Sequence, residues 1–223
     1  MKVIIIGGVA AGMSAGAKAS RLDKTTDIVI YEKTDIVSWG ACGLPYYVGN
    51  FFEDTKNMIA RPVEKFIEAG INVKIKHEVL GIDVTKKEVT VKNLLTNEEF
   101  IDTYDKLVIA TGAHAIIPPI ENVNAEGVFT LKDFQDGIDL KKEMVKEENQ
   151  NIVIVGAGYI GLEVVEAAKH LGKENIRIIQ LGDRVLLESF DKEITDIMEE
   201  EIDSYEGINL HVEELVQSII EKN

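Results

Sequence analysis

The chain has 223 residues, 45% of them hydrophobic and 28% charged, which is enough apolar material for a packed core and excludes a disordered chain. Four Pro and one Cys exclude collagen-like, Pro-rich and disulfide-stapled scaffolds. A formal net charge of −15 argues against nucleic acid and anionic membranes as partners, and the charge is segregated. Residues 1–112 carry 14 basic and 15 acidic side chains, and the remainder carry 10 and 24.

Val3 to Ala17 is the only apolar run near a terminus. Its glycine spacing fits a buried strand and turn better than an export signal, and no stretch reaches the roughly 18 apolar residues a membrane helix needs. The expected location is cytoplasmic. Val3-Ile4-Ile5-Ile6 is a β-branched run, apolar on both faces, as a central parallel strand requires. Gly7-Gly8-Val9-Ala10-Ala11-Gly12 follows, then a small-residue helix to about Leu22, then a strand from Ile28 to Tyr31 that ends on Glu32.

Ile71–Lys76, Gly81–Val84, Glu88–Lys92 and Glu99–Thr103 read as short antiparallel strands inserted in this first unit. Leu107 to Gly112 reads as another buried strand, and Pro118-Pro119 marks the domain boundary, giving domains 1–117 and 118–223. Asp133 to Glu148 reads as a charged surface helix.

The opening pattern then returns. Ile152-Val153-Ile154-Val155 leads into Gly156-Ala157-Gly158-Tyr159-Ile160-Gly161, a helix to about Leu171 and a strand from Ile176 to Gln180. Ile194, Ile197, Met198, Ile202 and Tyr205 recur at helical spacing, so Glu199-Glu200-Glu201 is read as a solvated face and no metal site is expected. Ile208–Val212 reads as a last strand, and Leu215–Ile220 as the start of another apolar element. The fold class is therefore α/β, with two Rossmann-like units and an antiparallel insertion in the first.

In such units the first glycine makes a tight turn, the second admits a pyrophosphate and the third lets helix pack on strand. Gly156, Gly158 and Gly161 supply all three; in the first copy Val9 replaces the middle one. Glu32 stands where an acid accepts ribose hydroxyl groups, and Gln180 holds the equivalent place in the second copy. Cys42 lies in Ser38-Trp39-Gly40-Ala41-Cys42-Gly43-Leu44-Pro45-Tyr46, among small residues that leave its sulfur accessible. If a helix opened after it, the dipole would favour a reactive thiolate.

The glycine turn GGVAAG, Glu32, the run SxxxCGLPYY from Ser38, Ala110-Thr111-Gly112 and GAGYIGLE from Gly156 together resemble the flavin-dependent pyridine nucleotide-disulfide oxidoreductases. The resemblance is narrowest to the single-cysteine branch of coenzyme A disulfide reductases and NADH oxidases. It implies FAD on the first unit, held by Gly7, Gly8, Val9, Ala10, Ala11, Gly12, Glu32, Lys33, Val79, Ala110, Thr111 and Gly112. It implies a nicotinamide cofactor on the second, held by Gly156, Gly158, Tyr159, Ile160, Gly161, Glu163 and Gln180; with Gln180 at the strand end and no Arg until Arg184, the residues favour NADH over NADPH.

Cys42 would be the redox-active residue, and Ser14, Lys18, Arg21 and Ser38 match positions that touch a coenzyme A substrate. Relatives that reduce peroxide, or oxygen to water, usually carry a histidine in the first glycine turn, whereas the first histidine here is His77. That favours a small disulfide or persulfide as substrate, with oxygen reduction as the alternative. The resemblance also implies that a C-terminal segment completing the FAD domain, and an interface domain that makes relatives homodimers, are absent. A non-catalytic nucleotide-binding fragment is the third reading.

Overall fold

The computed structural model describes residues 1–220. The chain divides into two compact units, one formed by Met1–Gly40 with Thr55–Ala113, the other by Ala41–Asp54 with His114 onward. The cysteine-bearing segment thus clusters with the second half of the chain.

The first unit is built on a four-stranded parallel sheet of order β3-β2-β1-β7. Its strands are β1 (Lys2–Ile6), β2 (Asp27–Tyr31), β3 (Ile71–Lys74) and β7 (Lys106–Ile109). Alternation along β1 and β2 assigns each face its own layer. Val3, Ile5, Ile28 and Ile30 pack with Met13 of helix α1 (Ala10–Leu22) and with Phe66 of α3 (Val63–Ile67). Ile4, Ile6, Val29 and Tyr31 pack on Val89 and Val91 of a three-stranded antiparallel sheet. That sheet comprises β4 (His77–Asp83), β5 (Glu88–Asn93) and β6 (Glu99–Thr103).

Two sequence expectations change here. Ile71–Lys74 is not part of the antiparallel insertion: it pairs in parallel with β2, from Ile28 opposite Ile71 to Tyr31 opposite Lys74. Its alternating burial resembles that of an insertion strand, so the pairing partner alone distinguishes the two. The strand after Tyr104 ends at Ile109, which is largely exposed, and Ala110–Gly112 run on from it without strand pairing.

The second unit holds a three-stranded parallel sheet of order β10-β9-β8, with β8 at Asn151–Val155, β9 at Asn175–Ile179 and β10 at Ile208–His211. Ile154, Ile176, Ile178 and Ile208 form its core with Val164, Val165 and Ala168 of α5 (Tyr159–His170), Met144 of α4 (Phe134–Met144) and Val48 of α2 (Leu44–Val48). The opposite face of β8 is open: Val153 and Val155 are 60% and 57% exposed.

Helix α6 (Lys192–Asp203) differs in part from its sequence pattern. Ile202 and Met198 pack inward, but Ile194 and Ile197 are exposed while Thr195 is fully buried, its hydroxyl donating to the Lys192 carbonyl. Glu199 is also not merely solvated, because its Oε1 accepts the Val185 N–H at 2.9 Å. Leu215–Ile220 forms no strand; a single bridge joins Ser218 to Glu121, and Leu215 and Ile220 are exposed. No helix among the described residues is long and apolar enough to cross a membrane.

Candidate functional site: two glycine turns, a cleft and a cysteine

The two glycine turns are near copies in geometry as well as in sequence. Gly7 and Gly156 have φ of +103° and +104°, a region in which a Cβ is strained. The Gly7 N–H donates to Tyr31 O and the Gly156 N–H to Ile179 O, both at 2.8 Å. A Cβ on Gly12 would stand 1.8 Å from the Gly7 carbonyl oxygen, and one on Gly161 would stand 2.0 Å from that of Gly156. The third glycine in each copy therefore exists so that the helix can seat on the turn. Gly7 has a further constraint, since its Cβ would fall 2.1 Å from Ala110 O, which places Ala110 against the turn.

The middle position shows why Val9 is tolerated. Val9 has φ −98° and ψ −147°, and Gly158 has φ −81° and ψ −173°; both have negative φ and both stand at the N-cap of their helices. Neither needs glycine for its backbone angles. A Cβ on Gly158 would meet nothing within 4 Å, so the turn there presents bare backbone to open space. That is the arrangement a pyrophosphate needs to approach the N–H groups of a helix start.

The strand-end residues also correspond. Glu32, only 5% exposed, accepts the Gly8 N–H on Oε2 at 2.6 Å and the Thr34 N–H and hydroxyl on Oε1 at 2.8 and 2.9 Å. Three donors leave an ionised carboxylate one of its roughly four acceptor positions for a ligand hydroxyl. Gln180 accepts the Ala157 N–H on Oε1 at 3.2 Å and donates from Nε2 to Arg184 O at 3.2 Å. In both units the side chain at the end of the second strand fixes the residue after the first glycine. These turns fit dinucleotides: exposed residues at each helix start, no side chain at Gly158, and a polar group at the end of each second strand.

The remaining predicted cofactor residues sit on the same elements. Ala10 and Ala11 are exposed at the start of α1, Lys33 is exposed after Glu32, and Thr111 and Gly112 are exposed beyond β7. Val79 lies on β4 beside a bulge and packs against the Ile4–Val29 layer. Tyr159, 57% exposed, meets Phe190 edge-on at 6.1 Å, and Ile160 and Glu163 are exposed on α5.

In the first unit Ser14 and Ser38 line one cleft of about 370 Å³, with Met13, Trp39, Arg61 and Phe66 among its walls. Lys18 and Arg21 are exposed four and seven residues beyond Ser14, along the same face of α1, but are not among the lining residues. Arg61 is the functional candidate that sequence reading missed. Its guanidinium stacks 4.5 Å from the Phe66 ring centroid and donates to Lys65 O at 2.9 Å. It reaches the cleft because Trp39 bridges to Ile59, a long-range pairing that no local pattern signals.

Cys42 is exposed, in a 3-10 turn (Ala41–Gly43) ahead of α2, which at five residues is too short to carry the dipole argument made from sequence. The segment is clipped to its own unit. Lys141 donates to Phe52 O at 2.9 Å and stands 4.1 Å above the Tyr47 ring, Phe51 stacks on His170 at 3.9 Å, and Gly49 lies against Ala167. No cluster of His, Cys, Asp and Glu among the described residues could hold a metal ion.

The family described as pyridine nucleotide-disulphide oxidoreductase matches residues 1–223. The NAD(P)H coenzyme A polysulfide/persulfide reductase of Pyrococcus horikoshii is 39% identical over 218 residues, covering 98% of this chain and 47% of that protein. The coenzyme A disulfide reductase of Staphylococcus aureus is 35% identical over 219 residues, covering 92% and 49%. Among solved structures, the water-forming NADH oxidase from Lactobacillus brevis bound to NADH superposes with a TM-score of 0.93 at 30% identity, covering 100% of this chain and 48% of that one. The chain spans about half the length of the curated relatives it matches.

Proposed function

Since the chain belongs to the pyridine nucleotide-disulphide oxidoreductase family, we propose that it forms the nucleotide-handling part of a flavin-dependent enzyme that reduces a small disulfide or persulfide with NAD(P)H. The observation that carries this reading is the duplicated turn, with φ +103° and +104° at Gly7 and Gly156 and helices seated on both carbonyl groups. In this reading the first unit holds FAD and the second a nicotinamide cofactor. Bound FAD supplies two-electron redox chemistry.

The chain's own residues do the rest. The start of α1, at the exposed Ala10 and Ala11, presents N–H groups to the FAD pyrophosphate, while Glu32 fixes the Gly8 N–H and takes a ribose hydroxyl with its free acceptor position. Gly158 and the start of α5 play the same part for NADH, with Gln180 at the ribose. The cleft beside Ser14 and Ser38, with Arg61 in its wall and Lys18 and Arg21 further along α1, suits the phosphate-bearing tail of a coenzyme A disulfide. Cys42 is the sulfur through which that disulfide is cleaved: its thiolate attacks one sulfur and releases the other as a thiol, and the mixed disulfide left on Cys42 is reduced by the electron pair that NADH supplies, which frees the second thiol. Overall, NADH, a proton and one disulfide become NAD⁺ and two thiols. Relatives named NADH oxidase keep oxygen as the alternative acceptor, which oxygen uptake without added disulfide would reveal.

The test is spectroscopic. The purified chain, supplied with FAD, is expected to carry a flavin band that NADH bleaches without oxygen, in wild type and Cys42→Ser alike. Coenzyme A disulfide cleavage should vanish in Cys42→Ser and weaken at least tenfold in Arg61→Ala. A chain that binds neither FAD nor NADH, or a Cys42→Ser variant that still cleaves the disulfide, overturns the reading.

A further inference from the structure

The end of β9 carries a charge arrangement that neither glycine turn explains. Gln180 is neutral, and its amide is tied at both ends, to Ala157 N and Arg184 O. Arg184 is the only cation between Arg177 and Lys192, and it is turned into the protein. Its side chain is 22% exposed; one terminal nitrogen pairs with Asp183 at 3.4 Å, the other donates to Leu187 O, and Nε is enclosed.

The chain leaving β10 brings two more acids to the same place. The Glu213 N–H donates to Gly182 O at 2.9 Å and the Glu214 N–H to Gln180 O at 3.1 Å. Glu213 holds a left-handed φ of +56°, which is uncommon away from glycine. The side chains of Asp183 and Glu214 are 63% and 56% exposed, and Glu213 is exposed as well. His211, at 3.3 Å from Glu214, becomes cationic only when protonated, and Lys192, whose charge interacts with that of Arg184, is paired with Asp196.

We infer that the second unit rejects a 2′-phosphorylated nicotinamide cofactor through the rim carboxylates of Asp183, Glu213 and Glu214, not through Gln180. This rests on reading the second unit as the nicotinamide site. The ribose of a dinucleotide lies at the strand end, and NADP sites place an arginine there to receive the 2′-phosphate. Here the arginine faces inward and three carboxylates face solvent. A phosphate of charge near −2 within a Debye length of three carboxylates meets repulsion on the order of tenfold in affinity, and added salt screens it.

The experiment titrates the chain with NADH and with NADPH, following the fluorescence of the reduced nicotinamide, at low and high NaCl and slightly alkaline pH. NADH is expected to bind about tenfold tighter at low salt, with the ratio falling several-fold at high salt. The variant Asp183→Asn/Glu213→Gln/Glu214→Gln should bring the ratio near unity while NADH affinity stays within about twofold. A ratio that neither salt nor the triple variant moves, or tighter binding of NADPH by wild type, overturns the inference. Failure to bind either cofactor would instead overturn the reading of the second unit as a nicotinamide site.

Discussion

Alanine at each glycine of the second turn should separate three different physical demands. At Gly161 the new Cβ would lie 2.0 Å from the Gly156 carbonyl oxygen, and that atom belongs to backbone pinned to β9 by the Gly156 N–H bond to Ile179 O. Relief requires the start of α5 to lift by roughly an ångström, which strips packing between Val164, Val165 and the Ile154–Ile178 face; overpacking on this scale costs about 3 kcal/mol. At Gly156 the Cβ has open space, but φ of +104° is strained for alanine, at a cost of about 1–2 kcal/mol. At Gly158 the backbone is extended and nothing lies within 4 Å, so folding should change by less than about 1 kcal/mol.

Hydrogen exchange read by mass spectrometry along a urea series resolves β8 and α5 from the rest of the chain. With a slope of about 2 kcal/mol per molar urea, Gly161→Ala should lower the midpoint for α5 by about 1.5 M, Gly156→Ala by less, and Gly158→Ala scarcely at all. If Gly158→Ala destabilised α5 as much as Gly161→Ala, the assignment of packing to one glycine and ligand approach to the other would be wrong.

Three further outcomes follow from side-chain networks. Burial pushes the Asp102 carboxyl up, but hydrogen bonds from Lys2 and Tyr31 outweigh that and hold it below its ordinary value, so its contribution is present above about pH 4 and is lost as pH falls through the folded value. Asp102→Asn should flatten the acid limb of the first unit's stability curve. Tyr31 is pushed up by burial and by its bond to Asp102, so its contribution persists up to about pH 10 and is lost above it; Tyr31→Phe should remove that alkaline loss. Lys141→Met removes the bond to Phe52 O and the cation over Tyr47, so the segment carrying Cys42 should open more readily by about 1–2 kcal/mol. Faster exchange in residues 44–52, without loss of protection in β9, is the expected reading; equal loss in both would point to general unfolding.

Much of the nucleotide-binding frame was legible because its constraints are local. A β-branched run, a glycine that tolerates positive φ and a small residue where helix meets turn must be neighbours in sequence to be neighbours in space. Both turns, helices α1 and α5 and the strands flanking them follow from that, and Glu32 and Gln180 follow from the length of one helix and one strand. The substitution at Val9 looked like a departure only because the pattern does not say which glycines serve backbone angle and which serve space.

Pairing and enclosure were decided by the tertiary structure. Ile71–Lys74 could have joined either sheet, since alternation records only that one face is buried and not which strand lies alongside. Arg61 enters the cleft through the bridge between Trp39 and Ile59, and Ala41–Asp54 joins the unit formed by the later half of the chain. The sequence places Arg184 four residues beyond Gln180, but only the packed loop turns it toward Leu187 O and leaves the carboxylates outside. Sequence carries the periodicities and the steric limits of single residues. Which surfaces meet, and therefore which charges face a ligand, is settled by contacts between residues far apart in the chain.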